Sequence, residues 1–317
     1  MTSPFTFRPA ARKNTPLTVG LAGPTKSGKT MSAHRLAVGL AQGGRVVMIN
    51  TEGAKGHQYA GRFTYDAVDL DAPYRPEKYT DALKAALALD PRPAVVIIDS
   101  LSHMHDGPGG ILEWHDAELD RLAGDDQRKR DKNNFTAWVR PKAAENQFIY
   151  AMLEADCHLV LGLRAKEKLR IIPGKPPVDL GWQPIVGERV AFETIFTLTL
   201  PPHCKGVPDL SVSELREPFD MIIPGNAPLS EETGAALAAW ATGEPEATGK
   251  RSDAPQLTTR LLDLAAQLGK RDDVATAIAN NRRDHSADMP AHVRWLKSQI
   301  KNAETRVAER TDEDVAL

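Results

Sequence analysis

Residues 17–30 read LTVGLAGPTKSGKT, an apolar run followed by a glycine-rich octet that ends on Lys29 and Thr30. The apolar part, Leu17–Ala22, reads as a short buried strand. Behind the octet, Ala33, Leu36, Ala37, Leu40 and Ala41 recur at helical spacing, and Gly43-Gly44 supplies the stop. Gly23, Pro24, Thr25, Lys26, Ser27, Gly28, Lys29 and Thr30 match G-x-x-x-x-G-K-[ST] in full. Glycines let backbone N–H groups turn inward around phosphate oxygens without Cβ clashes, and the following helix adds its positive end. In this pattern Lys29 reaches the β- and γ-phosphates of a nucleotide, and the Thr30 hydroxyl ligates Mg²⁺. Met31 is grouped with the loop as its last member. The expected ligands are ATP and Mg²⁺. A chance match is expected in roughly one chain in a hundred of this length, and the flanking strand and helix make it rarer.

Outward from the loop, Arg45–Asn50 (RVVMIN) is a second strand with the β-branched content of a sheet buried on both faces. A helix over Glu77–Leu89 puts Tyr79, Ala82, Leu83, Ala86 and Leu87 on one face. Asp90-Pro91-Arg92-Pro93 ends it, and Ala94–Asp99 (AVVIID) is a third strand. Strands alternating with helices of this length predict a mostly parallel central sheet with crossover helices, an α/β fold. Gly124–Asn134 reads as a polar stretch between two helical patterns. A helix follows from Pro141 to Ala155, with Pro141 suited to its first position. His158–Leu163 is a further buried strand, and residues 169–200 hold smaller strands or hairpins at the sheet edge, ending in Thr194–Leu200. A helix near Ser230–Trp240 closes the core. The expected divisions are a flexible arm (1–14), the nucleotide domain (15–242), a Gly/Pro-rich linker (243–255), a small C-terminal helical domain (256–304) and an acidic tail (305–317).

Asp99 ends an apolar strand, so its carboxylate lies at the carboxyl edge where parallel sheets bind ligands. It is expected to hold Mg²⁺ through water, alongside Thr30. Ser100 stands where many ATPases place a water-activating Glu, so the base must come from elsewhere. Glu52 follows the Arg45–Asn50 strand and should emerge at the same edge. Glu154 falls within a helical pattern, away from the strand tips. With Lys29, Glu52 and Asp99 form the expected catalytic set.

GPTKSGKT, a strand ending Asn50-Thr51-Glu52-Gly53, and VVIIDS without an acid after the Asp together resemble the RecA-like branch of P-loop ATPases. The layout is similar, more narrowly, to phage-type nucleotide-binding ATPases that include single-strand annealing recombinases. The resemblance covers about Thr15 to Leu200. It implies a RecA-like P-loop NTPase domain, Glu52 as catalytic carboxylate, and ATP hydrolysis that serves recombination or replication. It also implies single-stranded DNA as partner, a homo-oligomer, and contact with single-strand binding or other replication and recombination proteins.

Weaker signals bear on the partner. Arg128, Lys129, Arg130 and Lys132 mix with Phe135 and Trp138, and basic groups beside aromatics suit single-stranded DNA. The bland alternative is a solvated connector, since Asp125, Asp126 and Asp131 offset much of the charge. Arg164, Lys166 and Lys168 follow the His158–Leu163 strand. By the same resemblance they are candidates to reach a neighbouring subunit's γ-phosphate, with an exposed charged hairpin as the alternative. His103, His105 and His115 fit no zinc spacing and read as polar loop residues.

The whole chain of 317 residues has a formal net charge of −2, so any pull toward nucleic acid must be local. Its two cysteines, Cys157 and Cys204, lack disulfide or metal-site spacing and fit a reducing cytosol. No apolar run is long enough to span a bilayer and the N-terminus lacks a signal-peptide core, so a cytoplasmic location is expected, the bacterial host's if the protein is phage-encoded. Two rival classes fit the same loop. One is an ATP-driven loader or accessory factor acting on a protein such as a helicase. The other is a small-molecule kinase, which would need an Arg-rich lid and an acceptor pocket that cannot be identified.

Overall fold

A computed structural model describes residues 14–171, 177–213, 215–243, 254–284, 295–304 and 306–307. Its centre is a seven-stranded sheet in an α/β arrangement. The strands are β1 (Thr18–Gly23), β2 (Val46–Asn50), β3 (Asp66–Asp69), β4 (Val95–Asp99), β5 (His158–Arg170), β6 (Val178–Pro184) and β7 (Phe196–Thr199). They run in the order β3-β2-β4-β5-β1-β7, every neighbouring pair along that path is parallel, and β6 pairs antiparallel with the far half of β5. The expected parallel sheet is therefore present.

Strand periodicity explains the two cores. Val96 and Ile98 of β4 face one side with Val47, Ile49, Leu159 and Leu161, whereas Val95 and Ile97 face the other with Val46, Met48 and Val160. The first side is covered by α2 (Pro76–Leu87) and α6 (Val139–Leu153), through Tyr79, Leu83, Phe148 and Met152. The second is covered by α1 (Lys29–Ala41) and α9 (Glu231–Thr242), through Leu36, Leu40, Leu237 and Ala238. Each fully buried aliphatic side chain contributes about 1.5–3 kcal/mol, so strands apolar on both faces hold the middle of the sheet.

Between β4 and β5 the chain forms α3 (Ser102–Asp106), α4 (Ile111–Ala123), α5 (Gln127–Ala137) and α6. The polar stretch expected over Gly124–Asn134 is thus corrected to a helix. Its start is capped by the Asp126 carboxylate, which accepts from the Lys129 amide at 3.1 Å. Only Ala137 of α5 is buried, which is why no apolar period betrays the helix. α6 begins two residues before Pro141, still within the first turn, where a missing N–H costs nothing. β3 was not expected: all four of its residues are exposed, and it is an edge strand held by its ladder to β2. β5 runs seven residues beyond Leu163, because past the sheet its far half twins with β6 as a two-stranded ribbon. α7 (Glu188–Phe192) and α8 (Phe219–Ile222) are short connectors before α9. At the start of α9, Ser230 and Thr233 form a reciprocal capping box.

The described residues beyond 246 belong to a separate compact unit. Within it α10 (Ala254–Gln267), α11 (Arg271–Asp284) and the helical residues 295–304 pack around Leu261, Ile278, Leu296 and Ile300. Most of the expected arm, of the expected linker and of the expected tail lies outside the described residues. No helix among the described residues is long and apolar enough to cross a membrane.

Candidate functional site

Parallel strands deliver their carboxyl ends to one edge of the sheet, and ladder register says which residues meet there. Gly23 at the end of β1 lies opposite Arg164 of β5, Asp99 of β4 lies opposite Gly162 of β5, and Asn50 of β2 lies opposite Asp99. A cleft of about 540 Å³ opens above these tips. It is lined by Thr25, Lys26, Gly28, Lys29 and Thr30 from the loop and the start of α1, by Glu52, Lys55, Gly56, Gln58 and Tyr59 from the segment after β2, and by Asp99 of β4 and Arg164 of β5.

The loop between β1 and α1 is shaped by its glycine and by what lies behind it. Gly28 has φ +95°, a left-handed conformation that a side chain rarely adopts. A Cβ there would also meet the Gly206 amide nitrogen at 2.7 Å. The segment after β7 is therefore a buttress for the loop: Gly206 N–H donates to the Ser27 carbonyl at 3.0 Å, and the Cys204 thiol donates to it at 3.1 Å. Ser27 is buried beneath the loop, and its hydroxyl has no hydrogen-bond partner among the described residues. Gly23 and Pro24 contribute carbonyls, which accept from the Lys29 Nζ at 2.8 and 2.9 Å. Met31 lies one turn into α1 and does not line the cleft.

Thr30 and Asp99 come together from two elements. The Thr30 hydroxyl donates to Asp99 Oδ2 at 2.7 Å. Asp99 is almost wholly buried, and desolvation pushes its carboxyl above the ordinary carboxylate range against the pull of Thr30 and Lys29. Burial in turn holds the Lys29 ammonium below its ordinary value, opposed by Asp99 and Glu52. Gly162 makes room for the acid, since a Cβ on it would stand 2.4 Å from Asp99 Oδ1.

Glu52 is fixed through its backbone. The buried Asn50 accepts from the Glu52 N–H at 3.0 Å and donates to the Gly53 carbonyl at 2.8 Å and to Asp69 of β3 at 2.6 Å. The unexpected edge strand is thus what anchors the turn that carries Glu52. The Glu52 carboxylate stands 3.3 Å from Arg164 and 3.8 Å from His103.

Arg164 therefore faces its own chain's cleft in this structure. Lys166 and Lys168, expected to follow the strand, sit on the β5–β6 ribbon with exposed side chains away from the cleft. The histidines are not loop residues either. His103 is in α3, buried and stacked on Tyr74 at 4.8 Å, and His115 is in α4, buried and stacked on Trp138 at 4.1 Å. Trp138 is thereby engaged, with Lys142 across its ring, and Arg130 is paired to Asp120 of α4. Arg128, Lys129, Lys132 and Phe135 stay exposed on α5, Lys129 with the Asp126 carboxylate 3.8 Å away. Phe135 is 86% exposed, and Arg128, Lys132 and Phe135 fall at i, i+4 and i+7 on one stripe.

Tyr59, Gln58 and Lys55 went unrecognised in the sequence because a short 3-10 helix, Gly53–His57, and the turn after it carry them with no motif. Tyr59 packs edge-on against His34 of α1, whose ring also meets Phe63 and Tyr65 at 5.3 and 4.4 Å. Burial depresses the His34 imidazole to about 4, and its Nε2 has no hydrogen-bond partner among the described residues. As pH falls below about 6.5 the unfolded chain takes up this proton first, so folded-state stability should drop until pH reaches the folded value. His34 alone should cost about 2 kcal/mol between pH 7 and pH 5. Urea unfolding at the two pH values should show this drop, and His34→Phe should shrink it. An equal drop in both proteins would mean that other groups carry the acid sensitivity.

No protein-family model matches the chain, and no curated protein matches it.

Proposed function

We propose that this chain is a Mg²⁺-dependent ATPase of the RecA-like P-loop kind that acts on single-stranded DNA as a homo-oligomer. One observation carries the ATPase part: Lys29, Thr30, Asp99 and Glu52, drawn from three separated segments, meet at one cleft at the carboxyl edge of a parallel sheet.

The donor set suits Mg²⁺. One hydroxyl and one buried carboxylate, Thr30 and Asp99, touch at 2.7 Å, and Mg²⁺ bound by protein commonly takes one or two such oxygens plus water and phosphate. Bound there, Mg²⁺ supplies charge neutralisation for phosphate oxygens. The remaining work belongs to the chain. The Lys29 ammonium, now resting on two loop carbonyls, turns to the β- and γ-phosphates, and the loop N–H groups cradle them. Tyr59 offers an apolar face to the nucleoside. Glu52 accepts a proton from the attacking water as its oxygen bonds to the γ-phosphorus. The bond to the bridging oxygen breaks, and the diphosphate leaves with its electrons.

Support for DNA comes from α5, which presents three cations and an unprotected phenyl ring on an otherwise polar helix. DNA affinity should be salt-sensitive. Changing Arg128, Lys129 and Lys132 together to Ala should flatten the slope of log affinity against log salt by up to about 2, at roughly 0.7 per phosphate contact on a single strand. Phe135→Ala should weaken binding at all salt concentrations by about 1–3 kcal/mol. ATP turnover with and without single-stranded DNA completes the test. A wild-type protein with neither DNA binding nor DNA-stimulated turnover would shift the reading to an ATPase that acts on a protein partner.

A further inference from the structure

Strand parity decides which way Arg164 of β5 faces. Leu159, Leu161, Leu163 and Ala165 belong to the core under α2 and α6, whereas Val160 belongs to the core under α1 and α9. Gly162 and Arg164 therefore share the α1 face, and α1 begins there with Lys29 and Thr30. Gly162 leaves room for Asp99, and Arg164, opposite Gly23 in register, is the next residue along that face. Its main chain is held from two sides. The Arg164 N–H donates to the Ser102 hydroxyl at 2.8 Å, and its carbonyl accepts from the Ile185 N–H at 2.7 Å. The guanidinium beyond this fixed root is loosely held. Among the described residues the one carboxylate it pairs with is Glu52, at 3.3 Å, and the side chain is 47% exposed.

Burial holds the Lys29 ammonium below its ordinary value, and the Arg164 guanidinium adds to this against the pull of Asp99 and Glu52. Lys29 and Arg164 thus repel each other within one cleft, and an anion set between them relieves both. We infer that Arg164 is a γ-phosphate ligand in its own subunit's cleft: its guanidinium leaves Glu52 for the terminal phosphate of ATP. This rests on the proposed ATPase reading. The resemblance to RecA-like ATPases implied reach toward a neighbour's nucleotide, whereas the register of β5 places the residue beside its own phosphate loop. A guanidinium fork matches two phosphate oxygens, and such a charge-assisted pair outweighs one long, half-exposed contact to a carboxylate. The exchange does two things. It reads the third phosphate, which ADP lacks, and it leaves both Glu52 oxygens open to the attacking water. As the γ-phosphoryl group transfers, the charge on its oxygens is met by Arg164 as well as by Lys29.

Affinity for two nucleotides separates this role from general support of the cleft. In Arg164→Gln, calorimetry with Mg²⁺ and β,γ-imido-ATP should show Kd raised about 10–100-fold, the size of a lost hydrogen bond to a charged group. The Kd for Mg²⁺-ADP should stay close to wild type, which also reports that the loop is intact. Single-turnover hydrolysis should fall about 10³-fold, the lower end for an arginine on a transferring phosphoryl group. Mixing Arg164→Gln protein with Lys29→Ala protein should restore nothing, because each cleft needs both residues from one chain. Four results would overturn the inference while leaving the ATPase reading standing: unchanged triphosphate affinity, an equal loss for ADP, hydrolysis at the wild-type rate, or activity recovered in the mixture. A wild-type protein that neither binds nor hydrolyses Mg²⁺-ATP would remove both.

Discussion

Lys29→Ala is expected to weaken Mg²⁺-ATP binding by at least about two orders of magnitude, with the fold retained. The ammonium is half-buried at the start of α1 and donates to two backbone carbonyls within its own loop, at 2.8 and 2.9 Å. Those contacts keep a desolvated cation satisfied while no phosphate is present. A hydrogen bond to a charged group is worth about 1.5–3 kcal/mol, and Lys29 is placed to make two with the β- and γ-phosphates. Losing about 3 kcal/mol corresponds to about a 100-fold rise in Kd. Other cations line the cleft, among them Lys26, Lys55 and Arg164, but it is Lys29, at the head of the helix, whose Nζ donates to the Gly23 and Pro24 carbonyls. Stability should change little, because the truncated side chain leaves exposable carbonyls at a solvent-open cleft. Titration calorimetry with ATP and Mg²⁺, beside a far-ultraviolet circular dichroism spectrum, decides it. Affinity within tenfold of wild type, in a folded variant, would mean that the phosphates bind elsewhere.

How legible this site was in the sequence depended on how each residue is held in place. Lys29, Thr30 and Asp99 could be read directly, because a loop between a buried strand and a helix, and an acid closing a second buried strand, occupy positions dictated by strand polarity. Glu52 was legible for the same reason, as the first acid past the β2 tip. Residues whose placement depends on tertiary contacts were not. Arg164 looked like the start of a charged hairpin. The register of β5 against β1, with Gly23 opposite it, is what brings it into the lining of the cleft. His103 looked like a polar loop residue because α3 is a five-residue helix without periodicity, and its burial comes from Tyr74 and Thr51, which arrive from other segments. The same limit hid α5 and β3. Both are solvent-facing elements whose backbone pairing is stabilised by a cap or a neighbour, and hydrophobic pattern carries no record of either. Trp138 and Arg130 show the converse. Composition placed both among the candidate DNA-contacting residues, and α4 engages both through His115 and Asp120.

Glu52→Gln should leave ATP binding close to wild type and depress hydrolysis by about 10²–10⁴-fold, the range for a lost general base. The substitution keeps the shape of the side chain, and the turn that carries it is fixed by main-chain contacts to Asn50 rather than by the carboxylate. Its ion pair with Arg164 is partly open to solvent, with the arginine 47% exposed, so the loss of that pair should cost less than about 1 kcal/mol of stability. The effect must therefore appear in the chemical step. Single-turnover measurements with enzyme in excess over ATP isolate that step from product release, and nucleotide affinity measured on the same variant separates it from binding. Ser100, the residue after Asp99, has no acid to substitute, and Glu154 caps the far end of α6 outside the cleft. Among the described residues that line the cleft, the only carboxylates are Glu52 and Asp99, and Asp99 is already held by Thr30. A Glu52→Gln variant that turned over ATP at the normal rate would leave the cleft without a free base. Hydrolysis would then have to proceed by a base outside the cleft or at a different site, and the proposed RecA-like reading would lose the residue on which its chemistry rests.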